Sequence, residues 1–143
     1  MTSYAEIFNR ALRTIDDPSL AKWPEEDLSN ALYGWLESAI AKIPQIRAEV
    51  ATRDVFDAEK ANALGFATDL SDVTKEILAL GIKREWLAPQ ITSVMNTWQR
   101  FSKKEGYSQA EHLKQLMALD DKVKLEIRTL LRDDSYVDSD YFD

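Results

Sequence analysis

A long apolar stripe between two prolines is the feature that most constrains the fold. Between Pro24 and Pro44, apolar residues recur at spacings of three and four: Leu28, Leu32, Trp35, Leu36, Ala39, Ile40 and Ile43. This spacing is the period of one helix face. The acidic residues 25–27 suit the positive end of a helix dipole. The pattern predicts an amphipathic helix that buries one side against other helices.

Similar stripes predict a helix near the amino terminus and another in the middle of the chain. Ser3 and Glu6 match a capping box at the start of the first of these helices. The middle helix is expected to begin at Ser71 or Asp72. Pro89 interrupts its stripe, and a kink is expected there because proline removes one helical hydrogen bond.

The fourth main helix is predicted after a polar turn at residues 103–106. A second capping-box pattern at Ser108 marks its start, and its stripe ends near Arg132. The sequence therefore predicts an all-α bundle of about four main helices, with residues 1–132 forming one helical domain. Residues 45–71 show no sustained period and are expected to be irregular within that domain.

The last eleven residues, 133–143, differ from the rest of the chain because they contain five aspartates and no lysine or arginine. Large apolar side chains alternate with these acids, which argues against the alternative of a freely solvated tail. We predict an extended acidic C-terminal tail that binds another molecule through aromatic anchors. The predicted interface residues in the tail are Tyr136, Val137, Asp138, Asp140, Tyr141 and Phe142. Trp86, which lies just before the predicted kink at Pro89, is either a further interface residue or a core residue.

Charge is unevenly distributed along the chain, whose formal net charge is −7. Residues 1–71 carry 12 acids and 7 bases, whereas residues 72–132 carry 8 acids and 11 bases. A mildly basic segment, residues 72–132, therefore precedes the acidic tail. Bulk attraction to nucleic acid or to an anionic membrane is not expected. The bases between residues 103 and 132 are interleaved with acids, which disfavours a nucleic-acid patch. They are Lys103, Lys104, Lys114, Lys122, Lys124, Arg128 and Arg132.

The sequence carries few of the residues on which catalysis or metal binding depends. It has no cysteine and one histidine, His112, which is interpreted as a surface residue of the last helix. No glycine-rich phosphate loop or nucleophile elbow is present. The carboxylates of residues 16–17 and 25–27 lie where helix ends favour negative charge. We therefore expect no catalytic, cofactor-binding or metal-binding residues, no cofactor and no enzymatic activity.

No apolar run in the sequence reaches the length needed to span a membrane.

Five stretches of the chain carry a resemblance to a known family. They are Phe66–Ser71, Glu76–Gly81, Glu85–Ile91, Ser108–Leu113 and the pair Ser135-Tyr136. Together they resemble the neck, head–tail connector or adaptor proteins of tailed bacteriophages and prophages. Glu85-Trp86-Leu87 followed by Pro89 is the most distinctive part.

The resemblance covers about residues 66–142, and its motifs are packing motifs. The family is expected to have a methionine-like residue near Gly81 or Ile82, so glycine at position 81 is a departure. The resemblance implies a small helical bundle arranged as a ring, often of twelve copies, at the head–tail junction of the virion. Such a protein is made in the host cytoplasm. Its partners would be further copies of itself, the portal protein and other neck or tail proteins. DNA would pass through the ring without sequence-specific binding, and no membrane would be involved.

Two other functions remain open on the sequence. A tail or baseplate structural protein of the same phage class would use the same helices and differ only in its neighbours. A non-viral acidic binding or regulatory module, for example one that mimics DNA, would be a monomer or dimer whose tail covers a basic partner surface.

Overall fold

The computed structural model describes the backbone of residues 1–98 and 103–138, and the side chains of residues 1–95 and 110–133. Four long helices and one short helix account for most of the described chain: α1 (Tyr4–Thr14), α2 (Glu25–Lys42), α3 (Arg47–Val50), α4 (Asp72–Trp98) and α5 (Lys103–Asp138). The predicted all-α bundle with four main helices is confirmed.

Helix α4 forms the centre of the bundle and packs against α1, α2 and α5. Its residues Ile77, Leu78 and Ile82 are fully buried. They meet buried side chains from each of the surrounding helices, among them Ile7, Ala11, Leu36, Ile40, Val123 and Ile127. Each helix therefore buries the apolar stripe that its sequence presents, and burial of these stripes is the main favourable term in folding.

Local side chains fix the starts of α1 and α4. The hydroxyl oxygen of Ser3 accepts a hydrogen bond from the Glu6 amide at 3.2 Å. The Glu6 carboxylate does not return to Ser3 but pairs with Lys75 on α4 at 2.8 Å. Before α4, the Ser71 hydroxyl oxygen accepts from the Thr74 amide at 3.2 Å. Only the Ser3 half of the predicted capping box is thus formed. The Glu6 side chain, which would complete the box, instead links α1 to α4.

Helix α5 is longer than the sequence predicts. Residues 103–106, expected as a polar turn, are already helical, and the expected start at Ser108 is wrong. At the other end the helix continues to Asp138, six residues beyond Arg132. No proline or glycine occurs after Gly106, so the sequence contains no helix-breaking residue near Arg132. The first six residues of the predicted extended tail are therefore helical, and residues 139–143 lie outside the described part of the chain.

Pro89 lies inside α4, which continues on both sides of it from Asp72 to Trp98. The helix does not restart at the proline. The missing N–H of Pro89 removes one hydrogen bond within the helix, which is the physical basis of the predicted kink.

The segment between α2 and α4 contains the short helix α3 and pairs with the amino terminus. Single 3₁₀ turns form at Pro44–Ile46 and Ala58–Lys60. Further along, β2 (Gly65–Phe66) pairs antiparallel with β1 (Thr2–Ser3). The sequence analysis did not predict these strands, because two residues are too few to show an alternating pattern.

An aromatic cluster holds this irregular segment on the bundle. Tyr4 packs against four other rings, those of Phe8, Tyr33, Phe56 and Phe66, and the rings of Tyr33 and Phe56 stack in parallel at 4.3 Å. The Tyr4 hydroxyl donates to the backbone carbonyl of Asp54, and burial raises the pKa of Tyr4 to about 12. The cluster joins the amino terminus, α2 and residues 54–66 into one body.

An ion pair adds a second anchor for the same segment. Arg53 donates to both carboxylate oxygens of Glu37 on α2, each at 3.0 Å, and also to the carbonyl of Val50. The guanidinium and the carboxylate are both largely shielded from solvent. Hydrogen bonding to Glu37 raises the pKa of Arg53 further above its ordinary value.

Candidate functional site

A groove with an apolar floor runs between α2, α4 and α5 and has a volume of about 220 Å³. Its floor is formed by Ala39 of α2, Ile43 directly after that helix, Gly81 of α4, and Ile127 and Leu131 of α5. Its rim is polar and largely basic, with Lys42, Gln45, Arg84, Glu85, Lys124 and Arg128. An apolar floor inside a charged rim suits a ligand that presents both apolar and charged groups.

Two of the four rim cations are neutralised by partners within the chain. Lys42 pairs with Glu85 at 2.6 Å. Arg84 donates to both carboxylate oxygens of Asp120, at 2.9 and 3.3 Å. Asp120 interrupts the apolar stripe of α5. Its pair with Arg84 of α4 explains why a carboxylate occupies this position between the two helices.

The other two rim cations, Lys124 and Arg128, form no ion pair with any side chain in the described part of the structure. They lie four residues apart on α5 and therefore share one face of the helix. The groove thus presents, beside an apolar floor, two cations without an ion-pair partner among the described side chains.

Gly81 gives the groove its shape by letting two helices approach closely. A Cβ atom at position 81 would lie 2.7 Å from the Cβ of Ala39 on α2, which is closer than real side chains come. This close contact gives a physical reason for a glycine at position 81. A larger residue there would separate α2 from α4 and alter the groove floor.

Replacement of Gly81 by alanine is expected to destabilise the protein despite the better helix propensity of alanine. Overpacking against Ala39 costs roughly 1–3 kcal/mol, against about 1 kcal/mol gained from propensity. Gly34 on α2, which has open space around its Cβ position, is the matched control, and Gly34→Ala should stabilise by about 1 kcal/mol. Urea unfolding of both variants checks this, and an equal gain in both would contradict the close helix contact.

Trp86, predicted as an interface or core residue, is held within the chain. It is half-buried against the core, and its indole N–H donates to the Asp17 carboxylate at 3.2 Å. Asp17 also caps the 3₁₀ turn Pro18–Lys22 by accepting from the Ser19 amide. Hydrogen bonds from Ser19 and then Trp86 lower the pKa of Asp17. This carboxylate therefore caps a turn and positions Trp86, while the interface role of Trp86 stays a prediction.

The remaining predicted interface residues lie at the end of α5 or beyond it. The backbone of Tyr136, Val137 and Asp138 forms the last helical turn, and their side chains lie outside the described residues. Asp140, Tyr141 and Phe142 lie wholly outside the described part of the chain. The structure therefore brings none of these six side chains into a described contact.

Within the described residues, no group of three or more histidine, aspartate or glutamate side chains is arranged to hold a metal ion. His112 is an exposed residue of α5. Among the described helices, none is both long enough and apolar enough to cross a bilayer.

Sequence reasoning did not find the groove, although one signal for it was present. Lys124 and Arg128 have the four-residue spacing of a shared helix face, but along the sequence they stand among acids. Only the fold shows that Asp120 is engaged by Arg84, 36 residues away, and that the groove floor comes from three helices.

Comparison of the chain with protein-family models, with curated proteins and with solved structures found no match to any of them.

Proposed function

We propose that this protein is a structural component of a tailed bacteriophage particle, in which copies of it form a ring that joins the capsid portal to the tail. It acts by binding other proteins and not by catalysis. In this proposal its partners are further copies of itself, the portal protein and other neck or tail proteins, and DNA passes through the ring without sequence-specific contacts.

The observation that carries the proposal is the presence, in one chain, of a basic groove and an acidic, aromatic C-terminal sequence. The body presents the basic groove, and residues 133–143 supply five aspartates together with aromatic side chains. A ring is built from heterologous contacts, in which one surface of a subunit meets a different surface of the next. A chain that carries two unlike, complementary surfaces has the property that such a ring requires.

The stretches that resemble connector proteins have packing roles in this fold. Leu78 and Leu87 are buried in α4, Glu85 pairs with Lys42, and Phe66 belongs to the aromatic cluster. The function is supported by the complementary surfaces and by the resemblance together.

A second exposed apolar surface is available for neighbouring proteins on the opposite flank of α5. Leu80, Leu125 and Leu130 line it, with Glu76, Glu126 and Thr129 around them. Leu125 exposes 63% of its surface, which is unusual for a leucine in a helical bundle. A connector that touches both a portal and a tail needs surfaces on more than one side.

A nonsense mutation tests the proposed function in the phage that carries this gene. Replacing the Trp23 codon by a stop codon should give, in a non-suppressing host, DNA-filled heads and complete tails that stay separate. Electron microscopy of the lysate checks this, and growth in a suppressing host is the control. Normal yields of joined particles would contradict the proposal, and heads accompanied by missing or malformed tails would indicate a tail or baseplate protein instead.

A further inference from the structure

We propose that two free copies of this chain pair through the exposed side of α5 around Leu125, as a two-fold symmetric dimer in which the two α5 helices run antiparallel. This surface, the Leu125 flank, consists of Lys122, Leu125, Glu126, Thr129 and Leu130 of α5 with Glu76 and Leu80 of α4. The pairing describes the protein before it enters a particle, so it goes beyond the proposed function. On incorporation the pair separates and leaves the flank open to neighbouring proteins.

The Leu125 flank has an apolar centre that the monomer leaves uncovered. Leu125 exposes 63% of its surface. It borders a shallow depression that Leu80 and Leu130 also line. A second copy placed on this flank would remove the leucine from water, which is the favourable term that drives association of apolar surfaces.

The charges beside Leu125 are complementary to themselves under a two-fold axis. Lys122 and Glu126 are exposed, lie four residues apart on α5, and form no ion pair with any described side chain. Within one helix, lysine four residues before glutamate is the less favourable order for a pair. In an antiparallel dimer with its axis at the level of residue 124, Lys122 of each copy faces Glu126 of the other, because both residues lie equally far from the axis. Two unpaired charges per chain thereby gain partners.

This self-complementarity favours a second copy over an unlike protein. The third charged side chain of the flank, Glu76, is already paired with Arg10 at 3.0 Å. The free charges of the flank are therefore one of each sign, and a uniformly acidic or basic partner would attract one and repel the other. A second copy satisfies both, and two-fold dimers are the commonest form of protein self-association.

Helix geometry brings the two Leu125 positions close together. Ala118, Lys122, Leu125 and Thr129 follow one another at spacings of four, three and four, so they form one line along α5. The small residues Ala118 and Thr129 at the ends of this line permit close approach. For packed helices about 8–10 Å apart, with Cα atoms about 2.3 Å from each axis, the two Leu125 Cα atoms are roughly 4.5–6 Å apart. A disulfide spans this distance.

Cysteine cross-linking of the full-length protein tests the two-fold contact. The chain contains no cysteine, so Leu125→Cys introduces a single thiol. Mild oxidation should link two copies of this variant, as measured on a non-reducing gel. Val55→Cys is the matched control, because Val55 is an apolar residue that exposes 90% of its surface outside the Leu125 flank. Leu125→Cys should give at least about tenfold more linked dimer than this control, and equal yields would overturn the proposal.

A charge exchange tests the register. Sedimentation equilibrium of the unaltered chain should show a weak dimer, with a Kd of roughly 10 μM to 1 mM for so small a contact. Lys122→Glu should weaken it about tenfold, because two pairs become repulsive, and Lys122→Glu/Glu126→Lys should restore the Kd to within about twofold. Lys60→Glu makes the same charge change at an exposed site elsewhere and should have little effect. Circular dichroism verifies that each variant is folded. A monomer at about 1 mM, or no recovery in the double variant, would overturn the proposal.

The dimer and the proposed function fail separately. If Leu125→Cys does not cross-link but the nonsense mutant still leaves heads and tails apart, the two-fold contact is wrong and the connector function stands. If the cysteine variant cross-links as expected but the mutant yields joined particles, the dimer is real and the connector function is wrong.

Discussion

Replacing Tyr4 by alanine is expected to destabilise the protein by roughly 3–5 kcal/mol, the usual cost of truncating a large buried aromatic side chain. Tyr4 has no exposed surface and lies at the centre of the five-ring cluster. Its loss leaves a cavity where the amino terminus, α2 and residues 54–66 meet. Against a total stability of about 5–15 kcal/mol, this is a large fraction. Urea unfolding followed by circular dichroism measures the change.

The conservative variant Tyr4→Phe distinguishes packing from hydrogen bonding. It keeps the ring but leaves the Asp54 carbonyl without the hydroxyl donor, and a cost of about 1 kcal/mol is expected. Trp23→Ala, at a tryptophan that is 42% exposed, should cost less than Tyr4→Ala in the core. A loss from Tyr4→Ala no greater than from Tyr4→Phe would show that the cluster does not hold the irregular segment.

Removal of residues 139–143 is expected to abolish joining of heads to tails while leaving the protein folded. The deletion keeps α5 intact to Asp138 but removes Tyr141, Phe142 and two of the five terminal aspartates. Supplied in trans to the nonsense mutant, the shortened protein should yield at least about a hundredfold fewer joined particles than the full chain, because each ring contact loses its aromatic anchor and its charges. Plaque counts and electron microscopy provide the measurement.

A substitution control shows whether the chemistry of the tail matters or only its length. The full-length variant Tyr141→Ala/Phe142→Ala should behave like the deletion, whereas Ser139→Ala should behave like the unaltered chain. Unfolding curves of the three proteins should coincide with that of the parent. Full complementation by the shortened protein would be incompatible with a joining role for these residues.

Much of the helical architecture was predictable from local signals. Pro24 and Pro44 bound α2, and the apolar residues between them form the face that is buried. Local signals were weaker in residues 45–71, where the apolar residues have no common period and the short helix α3 was not predicted. These features depend on neighbours in the sequence, which a single sequence displays directly.

The features that were not predictable depend on residues far apart in the chain. The strand pair joins Thr2 to Phe66, and the pair Arg84–Asp120 links α4 to α5. The groove takes its floor from three helices, so no local pattern marks it. At α5 the local signals were misleading, because the capping pattern at Ser108 lies inside a helix that is already formed at Lys103.

The position of this protein in the mature particle tests the account most directly. Electron cryomicroscopy of the phage should show a closed ring of this fold between portal and tail. A map that places the protein at the distal end of the tail, or particles that contain none of it, would contradict the account.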